Sequence, residues 1–200
     1  MGRRPGARSA NVQGAVLTVH VVRWSDAPEV PWRNGGGLTR ELVVVGGAEF
    51  DWRLSAATIS VDGPFSEFAA IDRVLMLLQG DGVRLRFRDD GTEVTLDRPG
   101  AVVEFGGERP VDAVLLGSRT VDLNLMCRRD RYRATVQTRL DAPGADVVVV
   151  HVRTGSCDID DGDAGTVRLG PGDSAWWVGG AGRVVSSEGD VVRFDLTSTA

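Results

Sequence analysis

The sequence contains no lysine, so all 23 of its positive charges are arginine. That excludes lysine Schiff-base catalysis outright. Histidine is almost as scarce, with only His20 and His151, and cysteine is limited to Cys127 and Cys157. A non-haem metal triad needs two histidines and a carboxylate in one place, but these two are far apart, and His20 sits in the strand-like stretch Thr18-Val-His-Val-Val22. The cysteines have neither metal nor redox spacing, and the spacing does not support a zinc set drawn from both residue types. The expectation is no metal, no cofactor and a reduced, cytoplasmic setting. No apolar run approaches the length of a membrane span. With 28 acidic residues and a net charge of −5, there is no basic footprint for nucleic acid. A Gly-x-Ser-x-Gly nucleophile elbow is also missing. Residues 1–14 carry Arg3, Arg4 and Arg8 without the apolar stretch of a signal peptide, and are expected to be a disordered tail.

Strand patterns abound in what remains. Hydrophobic content is 42%, a globular value. Val83 to Arg88 alternates most clearly, with Val83, Leu85 and Phe87 on one face and Arg84, Arg86 and Arg88 on the other. Such alternation means one buried and one wet face, as in an antiparallel sheet. Further strands are predicted at Val16–Trp24, Leu38–Val45, Trp52–Ser60, Ala101–Phe105, Val121–Met126, Val147–Val152, Ser174–Val178, Arg183–Ser186 and Val191–Leu196. The one candidate helical turn is Phe65–Asp72.

A faint internal repeat runs through these strands. Pro99-Gly100 is followed by an aromatic residue, Phe105, six places after the proline; Pro171-Gly172 is followed in the same way by Trp177. A Pro-Gly turn with that spacing is the usual second-half signature of a cupin barrel. Two occurrences predict an all-β chain of duplicated jelly-roll barrels, a bicupin of the RmlC-like fold. The first barrel would span 15–140 and the second half 141–200, joined where Asp141-Ala-Pro-Gly144 breaks the pattern. In Trp176-Trp177, adjacent strand residues face opposite ways, so one ring is expected inside and the other exposed.

Pro31-Trp-Arg-Asn-Gly-Gly-Gly-Leu-Thr-Arg-Glu41 is the most distinctive segment. Asn34-Gly35 is a strong hairpin-turn signal, and the turn is favoured over a binding loop. No nucleotide-binding fingerprint accompanies the glycines. Beyond it lie polar groups set in strands. Thr39 and Glu41 share a face, as do Arg53 and Ser55, with Trp52 and Thr58 opposite. Asn124 and Met126 share a face opposite Leu123 and Leu125. Asn is disfavoured inside strands, so Asn124 is either a ligand contact or a structural clamp. Arg53 and Arg73 each carry a guanidinium fork suited to a carboxylate; Asp72-Arg73 is alternatively a local ion pair, and Arg53 is favoured.

Taken together, the Pro31–Glu41 block, Phe50–Thr58, Asp62–Ser66, Ile71–Arg73, Leu78–Gly82 and Asp122–Met126 resemble the HutD/Ves family of small bicupins, over roughly Val16 to Arg129. The matching positions are Trp32, Asn34, Gly36, Thr39, Glu41, Trp52, Arg53, Ser55, Phe65, Asp72, Arg73, Asn124 and Met126. Ala69-Ala70 departs from the pattern. The resemblance implies a metal-free bicupin that binds a small carboxylate metabolite, of the urocanate or formyl- or formimino-glutamate type, and regulates histidine utilisation or a stress response. On this reading Arg53 takes the carboxylate, Glu41 takes a ligand nitrogen, and Thr39 and Asn124 complete the polar contacts. Trp32, Trp52, Phe65 and Met126 supply the apolar wall; Asn34, Gly36, Ser55 and Arg73 complete the site. The alternative is a metal-independent hydrolase or isomerase with Glu41 as general base. A third reading is a partner-binding protein with a filled interior. Monomer and homodimer are both compatible with the chain.

Overall fold

The computed structural model describes residues 18–32, 35–47, 49–142, 144–162 and 165–199. The expected N-terminal tail and Asn34 lie outside them. Among the described residues the chain is all-β, with sixteen strands and one short 3-10 turn at Trp24–Asp26. No described helix is long and apolar enough to cross a membrane.

The strands form three sheets. The middle one runs β2 (Glu29–Pro31), β3 (Gly37–Gly46), β4 (Phe50–Ile59), β11 (Thr120–Arg128), β6 (Ile71–Gln79) and β9 (Val102–Gly106). An outer sheet of β5 (Gly63–Pro64), β10 (Val111–Leu115), β7 (Val83–Phe87) and β8 (Glu93–Leu96) covers one of its faces. The third sheet covers the other. It contains β1 (His20–Val22), β15 (Ser174–Val178), β13 (Val147–Asp160), β16 (Arg183–Ser198) and β12 (Tyr132–Gln137), with β14 (Thr166–Leu169) on the far half of β13.

Strand parity explains how the layers stack. Even residues of β4 and odd residues of β11 (Trp52, Leu54, Leu123 and Leu125) pack on Val147, Val149, Phe194 and Leu196 of the third sheet. Trp52 and Trp176 meet edge to face there, with centroids 5.3 Å apart, a geometry worth roughly 0.5–1.5 kcal/mol beyond the area it buries. The opposite parity faces the outer sheet, where Ile59, Leu75, Leu77, Leu85, Phe87 and Phe105 form a second core. A third core lies within the third sheet, around Val148, Val150, Cys157, Ile159 and Trp177. That sheet folds over because β13 and β16 bend together at Gly155, which pairs with Gly189. Both have positive φ (79° and 81°), and a Cβ on either would strike the partner strand's backbone. Only glycine can occupy both sides of this corner.

The two Pro-Gly turns are built alike. Gly100 N–H donates to the Leu77 carbonyl and Leu77 N–H to the Ala101 carbonyl; Gly172 and Val152, and then Val152 and Asp173, repeat the pattern. The glycine φ values are 87° and 88°. Phe105 and Trp177 each enter the core of their own half.

Three expectations need correction. Phe65–Asp72 is not helical: β6 begins at Ile71 after a turn at Ala69-Ala70. Trp176 and Trp177 do face opposite ways, but both are buried, because the middle sheet covers the side expected to be open. Asp72 and Arg73 do not pair, since strand neighbours point apart; Asp72 pairs with Arg129 at 2.8 Å. The sheets also cross residue 140. β1 and β12 precede it, yet they pair with β15 and β16.

Candidate functional site

A cavity of about 490 Å³ opens between the middle sheet and the segment Pro64–Phe68. Its floor is the face of β4, β6 and β11 opposite Trp52. Antiparallel register aligns the floor in rows. Arg53, Met126 and Arg73 lie side by side across the three strands. Ser55, Asn124 and Leu75 form the next row, and Ala57, Asp122 and Leu77 the one after.

Arg73 is the most unusual of these residues. It is 6% exposed and makes no ion pair among the described residues, its single hydrogen bond being a long 3.5 Å contact from Nη1 to the Ser66 carbonyl. Its guanidinium carbon lies 4.9 Å from the Phe105 ring centroid, 5.1 Å from Phe65 and 6.0 Å from Phe68. Ring faces offset part of a cation's desolvation but supply no counter-charge. Burial, and then the charge of Arg53, push the Arg73 pKa down to about 10, which leaves it cationic near neutral pH. Arg53 is more open and meets Glu41 at 3.3 Å.

At the other end Asp122 is fully buried. Thr120 Oγ1 donates to its Oδ1 at 3.0 Å, while Oδ2 has no partner. Burial pushes its carboxyl up to about 7, against the opposing pull of the Thr120 bond. Asn124 Oδ1 is likewise buried without a partner. On the wall, Trp32 Nε1 donates to Thr39 Oγ1 at 2.7 Å.

The glycine loop acts on the site indirectly. Trp32 N–H donates to the Gly37 carbonyl and Gly35 N–H to the Trp32 carbonyl, closing the hairpin between β2 and β3. A side chain at Gly37 would collide with the Thr58 carbonyl and come within 3.1 Å of the Trp32 ring. The glycine thus lets Trp32 lie flat at the cavity edge.

Of the residues singled out from the sequence, Trp32, Thr39, Arg53, Ser55, Phe65, Arg73, Asn124 and Met126 line the cavity. Trp52 does not, because its parity sends it to the core behind. Gly36 is not among the lining residues, and neither is Glu41, which stands at the rim with its side chain 47% exposed. Asp122 went unselected although it has the parity of Asn124 and Met126; an acid two residues from a strand Asn was the available signal. Ser66 and Phe68 sit on an irregular segment whose direction no periodicity reveals.

A cupin-type metal does not fit these side chains. No three His, Cys, Asp or Glu groups converge among the described residues. His20 stacks on Trp176 at 4.1 Å, and buried His151 shares a 2.9 Å hydrogen bond with Ser174.

Together the layers and the site define a cupin-type β-protein with a cationic pocket. The chain belongs to the HutD family, whose model matches residues 24–192. It is 36% identical over 182 residues to Protein Ves of Cronobacter sakazakii, covering 83% of this chain and 92% of that one. It is also 41% identical over 122 residues to a Pseudomonas putida protein known as an uncharacterized 21.2 kDa protein in the hutC 3' region. That match covers 60% of this chain and 63% of the relative, less than two thirds of its length. HutD from Pseudomonas fluorescens superposes with a TM-score of 0.76 at 28% identity, covering 91% and 100% of the two chains. A conserved protein of unknown function from Pseudomonas aeruginosa gives 0.79 at 29%, covering 90% and 99%. Hydroxyethylphosphonate dioxygenase, at 0.70 and 11% identity over 94% of this chain and 80% of that one, shares the fold alone.

Proposed function

We propose that this protein binds a small carboxylate metabolite in the cavity, with the carboxylate between Arg53 and Arg73, and thereby regulates histidine utilisation. The observation that carries this reading is Arg73, a buried guanidinium without a carboxylate partner among the described residues. A buried charge is normally paired, and the planar forks of two adjacent arginines match a carboxylate's geometry. The cavity volume is that of a small-ligand site, mostly apolar with a few polar anchors. Membership of the HutD family directs the choice of ligand towards urocanate or a formylated or formiminated glutamate. The architecture that supports this site is read as a duplicated jelly roll, on the strength of the two equivalent Pro-Gly turns.

The alternative, a metal-independent hydrolase or isomerase based on Glu41, gains no support from that residue's position. A general base tuned by desolvation needs burial, and Glu41 is half exposed and held by Arg53.

Thermal unfolding with urocanate, formylglutamate, formiminoglutamate, glutamate and histidine tests the proposal. A ligand at a hundred times its Kd adds about 2.7 kcal/mol, which raises Tm by roughly 5–10 °C in a chain of this size. The expected result is a selective shift with one acid that disappears in Arg73→Met while folding is retained. A flat response across all five acids would refute it.

A further inference from the structure

A carboxylate between Arg53 and Arg73 leaves the opposite end of the cavity unexplained. There, Asp122 presents a buried Oδ2 with no donor, and Asn124 stands beside it on the same face of β11. Arg53, Arg73 and Asp122 are the only ionisable side chains among the described cavity residues, and no ion pair joins Asp122 to either arginine. Its neighbours in register are apolar, Ala57 on β4 and Leu77 on β6. From Asp122 to the Met126 row is four residues, about 13 Å of strand, and the long arginine side chains can reach into that interval. A buried acceptor left without a donor is costly, and more so if it is charged. The cavity is therefore bipolar, with donors at one end and an unsatisfied acceptor at the other.

We infer that Asp122, with Asn124 beside it, is the specificity-determining end of this site, and that it accepts a hydrogen bond from an N–H group of the ligand distal to its carboxylate. The class so defined is a carboxylic acid whose far end carries an imidazole, amidine, ammonium or amide nitrogen. A ligand whose far end carries only a second carboxylate, such as glutarate, is disfavoured, because that group would face Asp122 without a donor. This inference rests on the carboxylate reading above, and it moves nitrogen recognition from Glu41 at the rim to Asp122 inside. Burial that holds the Asp122 carboxyl near 7 supports it, because a cationic nitrogen favours the ionised form of the acid it meets. The Asn124 amide can present either oxygen or nitrogen and adapts to the ligand.

Calorimetric titration of the full chain with imidazolepropionate, phenylpropionate and glutarate tests this. The imidazole acid is expected to bind about ten- to a hundredfold more tightly than the phenyl acid, the value of a hydrogen bond to a charged group. In Asp122→Asn that ratio should collapse and glutarate should gain, because Thr120 would keep the amide oxygen and turn the NH₂ into the cavity. Equal binding of the two monocarboxylates to the wild type, with both lost in Arg73→Met, would overturn the inference and leave the carboxylate reading standing. Failure of all three acids to bind would remove both. The wild-type ratio needs no variant, and circular dichroism checks that Asp122→Asn folds.

Discussion

Replacing Asp122 by Asn should make the protein more stable, and by an amount that depends on pH. In the folded state its carboxyl is raised from the ordinary 3.8 to about 7 by burial. Between those values the folded chain holds a proton that the unfolded chain releases. Wild-type stability from this group is therefore complete below about pH 4 and lost as pH rises through 7. The window spans about three pH units at about 1.4 kcal/mol each, or on the order of 4 kcal/mol. Asparagine keeps the shape and the Thr120 bond without the titration. Urea unfolding of both proteins between about pH 4 and 8 should show Asp122→Asn gaining on the wild type steadily, with a plateau above 7. The difference between the two curves cancels every other ionisable group. A gap that does not change with pH would mean that Asp122 ionises as an ordinary surface acid, and would refute the desolvated site described above.

Two further outcomes follow from the geometry. His151 is buried and pushed down to about 4 by desolvation, so its contribution has the opposite sign. Stability is lost as pH falls from 6.5 towards 4, by up to about 3 kcal/mol, and His151→Gln should flatten that limb in urea unfolding. Gly37→Ala forces a methyl group against the Thr58 carbonyl and the Trp32 ring. It should lower stability by about 1–3 kcal/mol, and ligand affinity should fall with it as Trp32 is displaced, both read by thermal shift with and without ligand.

Much of this was legible from parity. Arg53, Ser55, Asn124 and Met126 share the cavity face because two-residue periodicity is a property of the backbone. β7 showed itself because one of its faces is wet. β6 did not: Val74, Leu75, Met76 and Leu77 are all buried, since the middle sheet is covered on both sides, and a strand buried on both faces does not alternate. β13 and β16 were read as shorter pieces because the facing pair Gly155 and Gly189 looks like punctuation, whereas the ladder continues through it. Glu41 misled for a different reason. It does pair across from Ser55, but register carries no information on how far the cavity extends along a row: Thr39 of the same strand lines it, whereas Glu41 does not. The solitude of Arg73 could not be foreseen, because its aromatic neighbours come from elsewhere in the chain, Phe65 and Phe68 from the segment after β5 and Phe105 from β9.

The shared middle sheet has a consequence for when this protein can work during its own synthesis. The cavity floor and the surface buried against Val147, Val149, Phe194 and Leu196 are two sides of the same strands. A nascent chain that has emerged only to the end of β11 already carries nearly every cavity residue, yet the back of its sheet is bare. The back of the floor is covered only when β13 and β16 settle behind it. If the cavity binds a carboxylate as proposed, a chain truncated before β13 would fail to bind it while retaining every described cavity residue.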